Sequence, residues 1–343
     1  MASLDHSVAI RLAPARYRGD QDVTPGMLNF AVNVRHNQLP YRVVQRLAEW
    51  LPGLARYLSA DYVHQSQDVV ADRHCRVRDE VMPLAWVAEV VVLLPSLWPV
   101  RAVIVVSAFT EPVVTLTTAG VPVHYVVLEL PFALNAPEDV NFVVVGNPTS
   151  PIPVLHACEQ LLALSRLGRI LVVDEAFADL LTGGVESLAG DSLPDVLVLH
   201  GLTKTWSLLG LRVCYTLGSL ELMVRLTTLR VHCLIGILQQ TAIAVCCAAA
   251  GAVRLVVLSA GMAAGLQLLA PNVVYGAIPF VLFSMSNTEL IRKLLQNKGI
   301  AVRRCDTFVD LDERYLRAVV RPEWPLLFQA IFEVFAYADN RRF

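Results

Sequence analysis

Short runs of Val, Ile and Leu punctuate the chain, and several are followed by stretches in which apolar residues recur every three or four positions. "RAVIVVSA" (101–108), "VPVHYVVLE" (121–129) and "NFVVVGNP" (141–148) are apolar almost without alternation, the pattern of strands covered on both faces. "VLHACEQLLALSRLG" (154–168) places Leu155, Cys158, Leu161, Leu162 and Ser165 at helical spacing and predicts a helix ending at Gly168. "RILVVDEAF" (169–177) and "DVLVLHGLTK" (195–204) predict two further strands. The run 90–106 is interrupted by Pro95, Pro99 and Arg101 and reads as a helix end, a loop and a strand. Past Arg212, helical patterns fill 218–270, followed by strands in "PFVLFSM" (279–285) and "AVRRCDTF" (301–308) and a last helix over 323–338.

Strand, helix and strand in this rhythm predict an α/β fold, a mostly parallel central sheet with helices on both faces. The expected division is an N-terminal arm and substrate loop (1–35) and a large α/β domain (36–217). A linking helix with a smaller C-terminal α+β domain (218–343) completes it. Ligands of such sheets bind outside the carboxyl ends of the strands. Asn147, Asp174 and Lys204 all stand at such ends.

Composition narrows the function. With 55% apolar and 17% charged residues the chain is greasier than most soluble proteins, and 231–253 and 255–288 contain no Asp, Glu, Lys or Arg. His232, Gln239, Gln240 and Thr241 interrupt the first stretch, and Pro271, Asn272 and Pro279 the second, so membrane association is the weaker reading. The first 20 residues lack the apolar core of a secretory signal and read as a mobile arm. A net charge of −2 without a basic block gives no sign of nucleic-acid binding. Seven cysteines without regular spacing suit a reduced, cytoplasmic protein, and scattered histidines predict no metal site.

Lysine use is the sharpest chemical clue. Of 28 basic residues only Lys204, Lys293 and Lys298 are lysines. Arginine stays protonated, whereas a lysine amine can be tuned to a free nucleophile. Lys204 follows Thr203, precedes Arg212 by eight residues, and shares its kind of strand end with Asp174. An amine that forms a Schiff base with an aldehyde cofactor needs such partners: an acid to keep a pyridine nitrogen protonated, and a hydroxyl and a cation for a phosphate.

"LTKTWSLLGLRVCY", "ILVVDEAFAD", "GNPTSP" and "YLRAVV" together resemble the class I/II, fold type I aminotransferases that depend on pyridoxal 5'-phosphate (PLP). The likeness runs from about residue 25 to 335, closest to the branch of histidinol-phosphate aminotransferase and the threonine-phosphate decarboxylase of cobalamin synthesis. It implies a homodimer that moves an amino group between an amino acid, or amino-acid phosphate, and a 2-oxo acid. Lys204 would form the Schiff base and shuttle the proton. Asp174 would pair with the pyridine nitrogen, Phe109 stack on the ring, and Ser150 stand where the family has an Asn donor. Thr203, Arg212 and the backbone amides of Val87 and Ala88 would hold the phosphate, helped by Tyr57 from the partner subunit. Arg317 would clamp the substrate carboxylate, with Asn33 as a polar contact.

Several positions depart from the family pattern. Ile152 and Pro153 replace Thr-Gly, Phe177 a frequent Tyr, Gly201 a Ser, and Cys214 a Gly. Trp86 in "LAWVAE" replaces a glycine, which removes left-handed backbone angles and adds bulk beside the phosphate. These changes leave two alternatives to transamination: threonine-phosphate decarboxylation, and a catalytically silent fold relative with weakened PLP binding.

Overall fold

The computed structural model describes residues 19–34, 38–106, 109–128, 132–181, 185–232, 234–249, 256–270, 272–276, 278–309 and 311–339. Residues 1–18, read above as a mobile arm, lie outside them.

In chain order, β1 (Leu28–Asn29) is followed by α1 (Tyr41–Glu49), α2 (Ala60–Arg73), β2 (Val81–Leu84), α3 (Val87–Leu93), β3 (Ala102–Val106), α4 (Glu111–Thr118) and β4 (Val123–Val127). Next come β5 (Phe142–Gly146), α5 (Cys158–Leu162), β6 (Ile170–Asp174), β7 (Val196–Gly201) and β8 (Cys214–Leu217). The seven-stranded sheet runs β2-β8-β7-β6-β5-β3-β4. The pairs from β7 through β6, β5 and β3 to β4 are parallel, and only β8 runs against its neighbours.

The valine-rich runs are strands because both of their faces are buried. Val103, Val143, Leu171, Val173 and Val198 meet Val70 and Ala71 of α2 on one face. Ile104, Val144, Val172, Leu197 and Leu199 meet Val90 and Leu116 of α3 and α4 on the other. Each fully buried aliphatic side chain contributes about 1.5–3 kcal/mol, and β-branched residues fit the pleat.

The expected helix over 154–168 is cut to Cys158–Leu162. Side-chain hydrogen bonds hold the preceding residues in a loop. Asn147 Oδ1 accepts from His156 N at 2.9 Å, and Asn147 Nδ2 donates to His156 O at 3.2 Å and Glu186 O at 2.9 Å. Thr149 adds bonds to the carbonyl oxygens of Ile152 and Val154. A side chain that closes a loop locally competes with helix formation.

Beyond β8 the chain forms α6 (Leu220–Thr228), α7 (Ile237–Cys247) and α8 (Val256–Gln267). Then follow β9 (Asn272–Val274), β10 (Phe280–Ser284), α9 (Thr288–Asn297), β11 (Ile300–Ala301), β12 (Arg303–Arg304), β13 (Tyr315–Val319) and α10 (Trp324–Asp339). The single strand expected over 301–308 is two short ones. β11 pairs in parallel with β1, while β12 joins the antiparallel sheet β12-β13-β10-β9. Phe30, just past β1, packs in the core built by Met262, Phe283, Leu316 and Ile331. The segment before α1 is therefore fastened to the C-terminal sheet. Among the described residues no helix is long and apolar enough to cross a membrane; Gln239, Gln240 and Thr241 lie within α7, which ends at Cys247, and Asn272 opens β9.

Candidate active site

β6 and β7 are parallel neighbours, with Asp174 opposite Leu199, so the chain leaves both at the same edge of the sheet. Asp174 ends β6, and Lys204 follows three residues after β7 ends at Gly201. The glycine has a steric cause. A Cβ there would lie 3.2 Å from Ala176 Cα and 3.3 Å from its Cβ, so the absent side chain lets β7 lie close to the loop leaving Asp174. The serine of the family pattern does not fit this approach without a shift.

The two charges influence each other. Burial pushes the Lys204 amine down to about 8, and the positive charges of Arg317 and Arg212 act the same way against the attraction of Asp174. Burial pushes the Asp174 carboxyl up to about 6, opposed by a hydrogen bond from Ala176 N at 3.1 Å and by the charge of Lys204. Lys204 donates no hydrogen bond to a described residue. Its Nζ lies 5.9 Å from the ring centre of Phe177, which meets Phe280 edge-on at 5.5 Å. Where the resemblance suggested a lost hydroxyl donor, the two phenylalanines form an apolar wall beside the amine.

Arg317 lies against that wall, its guanidinium 5.3 Å from the Phe280 ring centre. It is 7% exposed, donates to Ser150 Oγ and to Ala31 O at 3.1 Å each, and pairs with no carboxylate among the described residues. Burial lowers its pKa to about 10. A buried cation without a carboxylate is costly and suits an incoming anion. Asn33, two residues past Ala31, is buried with Oδ1 lacking a partner. Sequence reading missed Arg303, which is 6% exposed and directly opposite Arg317 across β12 and β13. β12 is itself Arg303–Arg304, so no apolar run marked the position, and only the pairing with β13 sets Arg303 beside Arg317.

At the other end, the Arg212 guanidinium lies 3.6 Å from the ring centre of Trp86, and Phe109 meets that ring at 6.1 Å. Val87 and Ala88 open α3, whose first turn is tied down by Ala85 N donating to Glu89 Oε2 at 2.5 Å. Trp86 sits at φ 160°, ψ 162°, an extended conformation open to any residue. The expectation that Trp86 forfeits a required left-handed turn is thus corrected: the turn is not left-handed. Thr203 is buried, and Cys214 is buried in the core beneath Arg212.

Two expected positions differ in character. Asn147 is used up in its loop, as described. Tyr57 is 96% exposed and is not brought to the cluster within this chain. Behind Asp174, on the opposite face of the sheet, lies a feature the sequence did not suggest. His200 bonds Asp179 at 2.9 Å and lies 3.7 Å from Glu175; burial alone would lower its pKa, but Asp179 carries it up to about 9. Glu175 in turn accepts from Leu188 N at 2.8 Å and Ser187 Oγ at 2.6 Å, which pins the loop that follows Asp174.

A half-buried amine of lowered pKa, a carboxylate on the adjacent strand end, aromatic faces and guanidinium groups suit Schiff-base chemistry and the binding of anions. The chain belongs to the class I and II aminotransferases, whose family model matches residues 129–323. It is an aminotransferase, an enzyme class that works with PLP on amino acids and 2-oxo acids. It is 60% identical to a histidinol-phosphate aminotransferase of Mycobacterium tuberculosis, over 97% of this chain and 93% of that protein. Its fold matches the histidinol-phosphate aminotransferase of Clostridium acetobutylicum (TM-score 0.81, 18% identity, 90% of this chain and 99% of that one). It also matches the L-threonine-O-3-phosphate decarboxylase of Porphyromonas gingivalis (TM-score 0.82, 17% identity, 90% and 99%).

Proposed function

We propose that the protein transfers the amino group of a phosphorylated amino compound of the histidinol-phosphate kind to a 2-oxo acid, with Lys204 as the catalytic residue. The observation that carries this reading is the pairing of Asp174 and Lys204 at adjacent strand ends. The donor set fits PLP. Asp174 would hold the pyridine nitrogen, Phe109 would cover the ring, and Ser150 would approach its phenolic oxygen. Arg212, Thr203 and the amides of Val87 and Ala88 would hold the phosphate. When bound, the cofactor supplies an electron sink for charge developing at the substrate Cα.

The residues of this chain do the rest. Lys204, which donates no hydrogen bond to a described residue and is lowered to about 8, is able to give up and regain a proton near neutral pH, as a base at the substrate Cα requires. Arg317 and Arg303 would take the substrate anion, with Asn33 closing over it from the segment after β1. Phe177 and Phe280 would give the amine and the anion site apolar neighbours.

A second copy would complete the site. Tyr57 at 96%, Tyr41 at 80% and Leu54 at 55% exposure form an apolar edge that suits burial against a partner, with Tyr57 reaching the partner's cofactor phosphate. The reading also places the enzyme in the cytoplasm. It keeps the division into an N-terminal segment (1–35), a large domain (36–217) and a small one (218–343).

Histidinol phosphate with 2-oxoglutarate is expected to yield glutamate at a rate that depends on added PLP. Release of CO₂ from threonine phosphate without any 2-oxo acid, and no glutamate from histidinol phosphate, would replace transamination by decarboxylation.

A further inference from the structure

Arg212 combines two unusual features. Its backbone is left-handed, with φ 56°, a region disfavoured for a non-glycine residue and kept where the surroundings demand it. Its guanidinium carbon lies 3.6 Å above the Trp86 ring centre, at van der Waals contact, and one donor, Nη1, is turned to Leu209 O at 3.1 Å. A guanidinium stacked this closely lies flat on the indole, and its N–H groups, which lie in its own plane, then point along the ring face rather than into it. Trp86 is itself braced by the edge of Phe109 at 6.1 Å, and its successor Val87 is anchored in the sheet core.

We propose that Trp86 is a positioning residue: its indole fixes the plane of Arg212 so that the guanidinium edge faces the cofactor phosphate. This rests on the PLP reading above. It also gives a physical role to the bulkiest departure from the family pattern: Trp86 supplies a surface for the phosphate's cation. Because Trp86 acts only through Arg212, its contribution is confined to ligands that carry the phosphate.

The test compares PLP with pyridoxal, which has the same aldehyde and ring but no phosphate. Dissociation constants are read from the absorbance of the protein-bound form for wild type, Trp86→Leu and Trp86→Phe. Loss of a desolvated cation–π contact is worth about a tenfold change in affinity. Trp86→Leu is expected to bind PLP about tenfold more weakly and pyridoxal as wild type does, while Trp86→Phe restores PLP affinity to within about threefold. Unchanged pyridoxal binding also shows that the variant is folded. Equal weakening toward both ligands, or unchanged PLP affinity in Trp86→Leu, would overturn the inference and leave the PLP reading standing. Absence of any bound form with wild type would instead overturn the PLP reading itself.

Discussion

Lys204→Met is expected to lower transamination turnover by at least about four orders of magnitude, measured as glutamate formed from 2-oxoglutarate at saturating PLP. Methionine keeps the length and apolar stem of lysine but has no amine, so both covalent capture of the aldehyde and proton movement at Cα are lost. The same variant tests the electrostatics of the empty site. The folded-state pKa of Lys204, about 8, lies below the ordinary 10.5. The favourable contribution of the uncharged amine is thus present above 10.5 and lost as pH falls through 8, so at pH 7 the charged amine costs stability. Cofactor-free Lys204→Met should melt about 2 °C above wild type at pH 7, a modest figure because the side chain is only half buried. The difference should shrink above pH 10. A variant that keeps a tenth of wild-type turnover would remove Lys204 from the chemistry.

Asp174→Asn is expected to reduce kcat by about two to three orders of magnitude while changing KM by less than about threefold, because in the proposed role its charge acts on the cofactor rather than on the substrate. The pH profile carries an independent signature. Burial raises the Asp174 carboxyl to about 6. The affinity of the cofactor-free wild type for PLP should therefore fall as pH drops through 6 and the carboxylate protonates, and the variant should lack that dependence. Retention of wild-type kcat in Asp174→Asn would mean that the acid at the end of β6 only caps its loop, as its hydrogen bond from Ala176 does.

Much of the fold could be read from the chain because its strands are continuous apolar runs. Such runs announce a sheet covered on both faces, and the residue that ends each run marks the functional edge. Asp174 and Lys204 stood out as candidates for that reason, and the structure sets them at the ends of adjacent strands. The helix over 154–168 was misjudged because periodicity does not register Asn147 and Thr149, whose side chains hold the loop from a distance. Arg303 went unnoticed because its value lies in cross-strand register with Arg317, a relation between segments 14 positions apart that no local pattern reveals. Trp86 and Gly201 looked like losses when set against a family pattern. In three dimensions one stacks on Arg212 and the other lets β7 approach Ala176. A substitution at a site has meaning only with its neighbour in view.

In the proposed function the Lys204 amine is the group that captures the cofactor aldehyde. With only three lysines in the chain, one experiment addresses it cleanly. PLP is added to the purified protein, the complex is reduced with borohydride, and the modified peptide is identified by mass. A visible absorbance band that reduction removes and a single adduct on Lys204 are expected. An adduct on Lys293 or Lys298, or no band at saturating PLP, would contradict it.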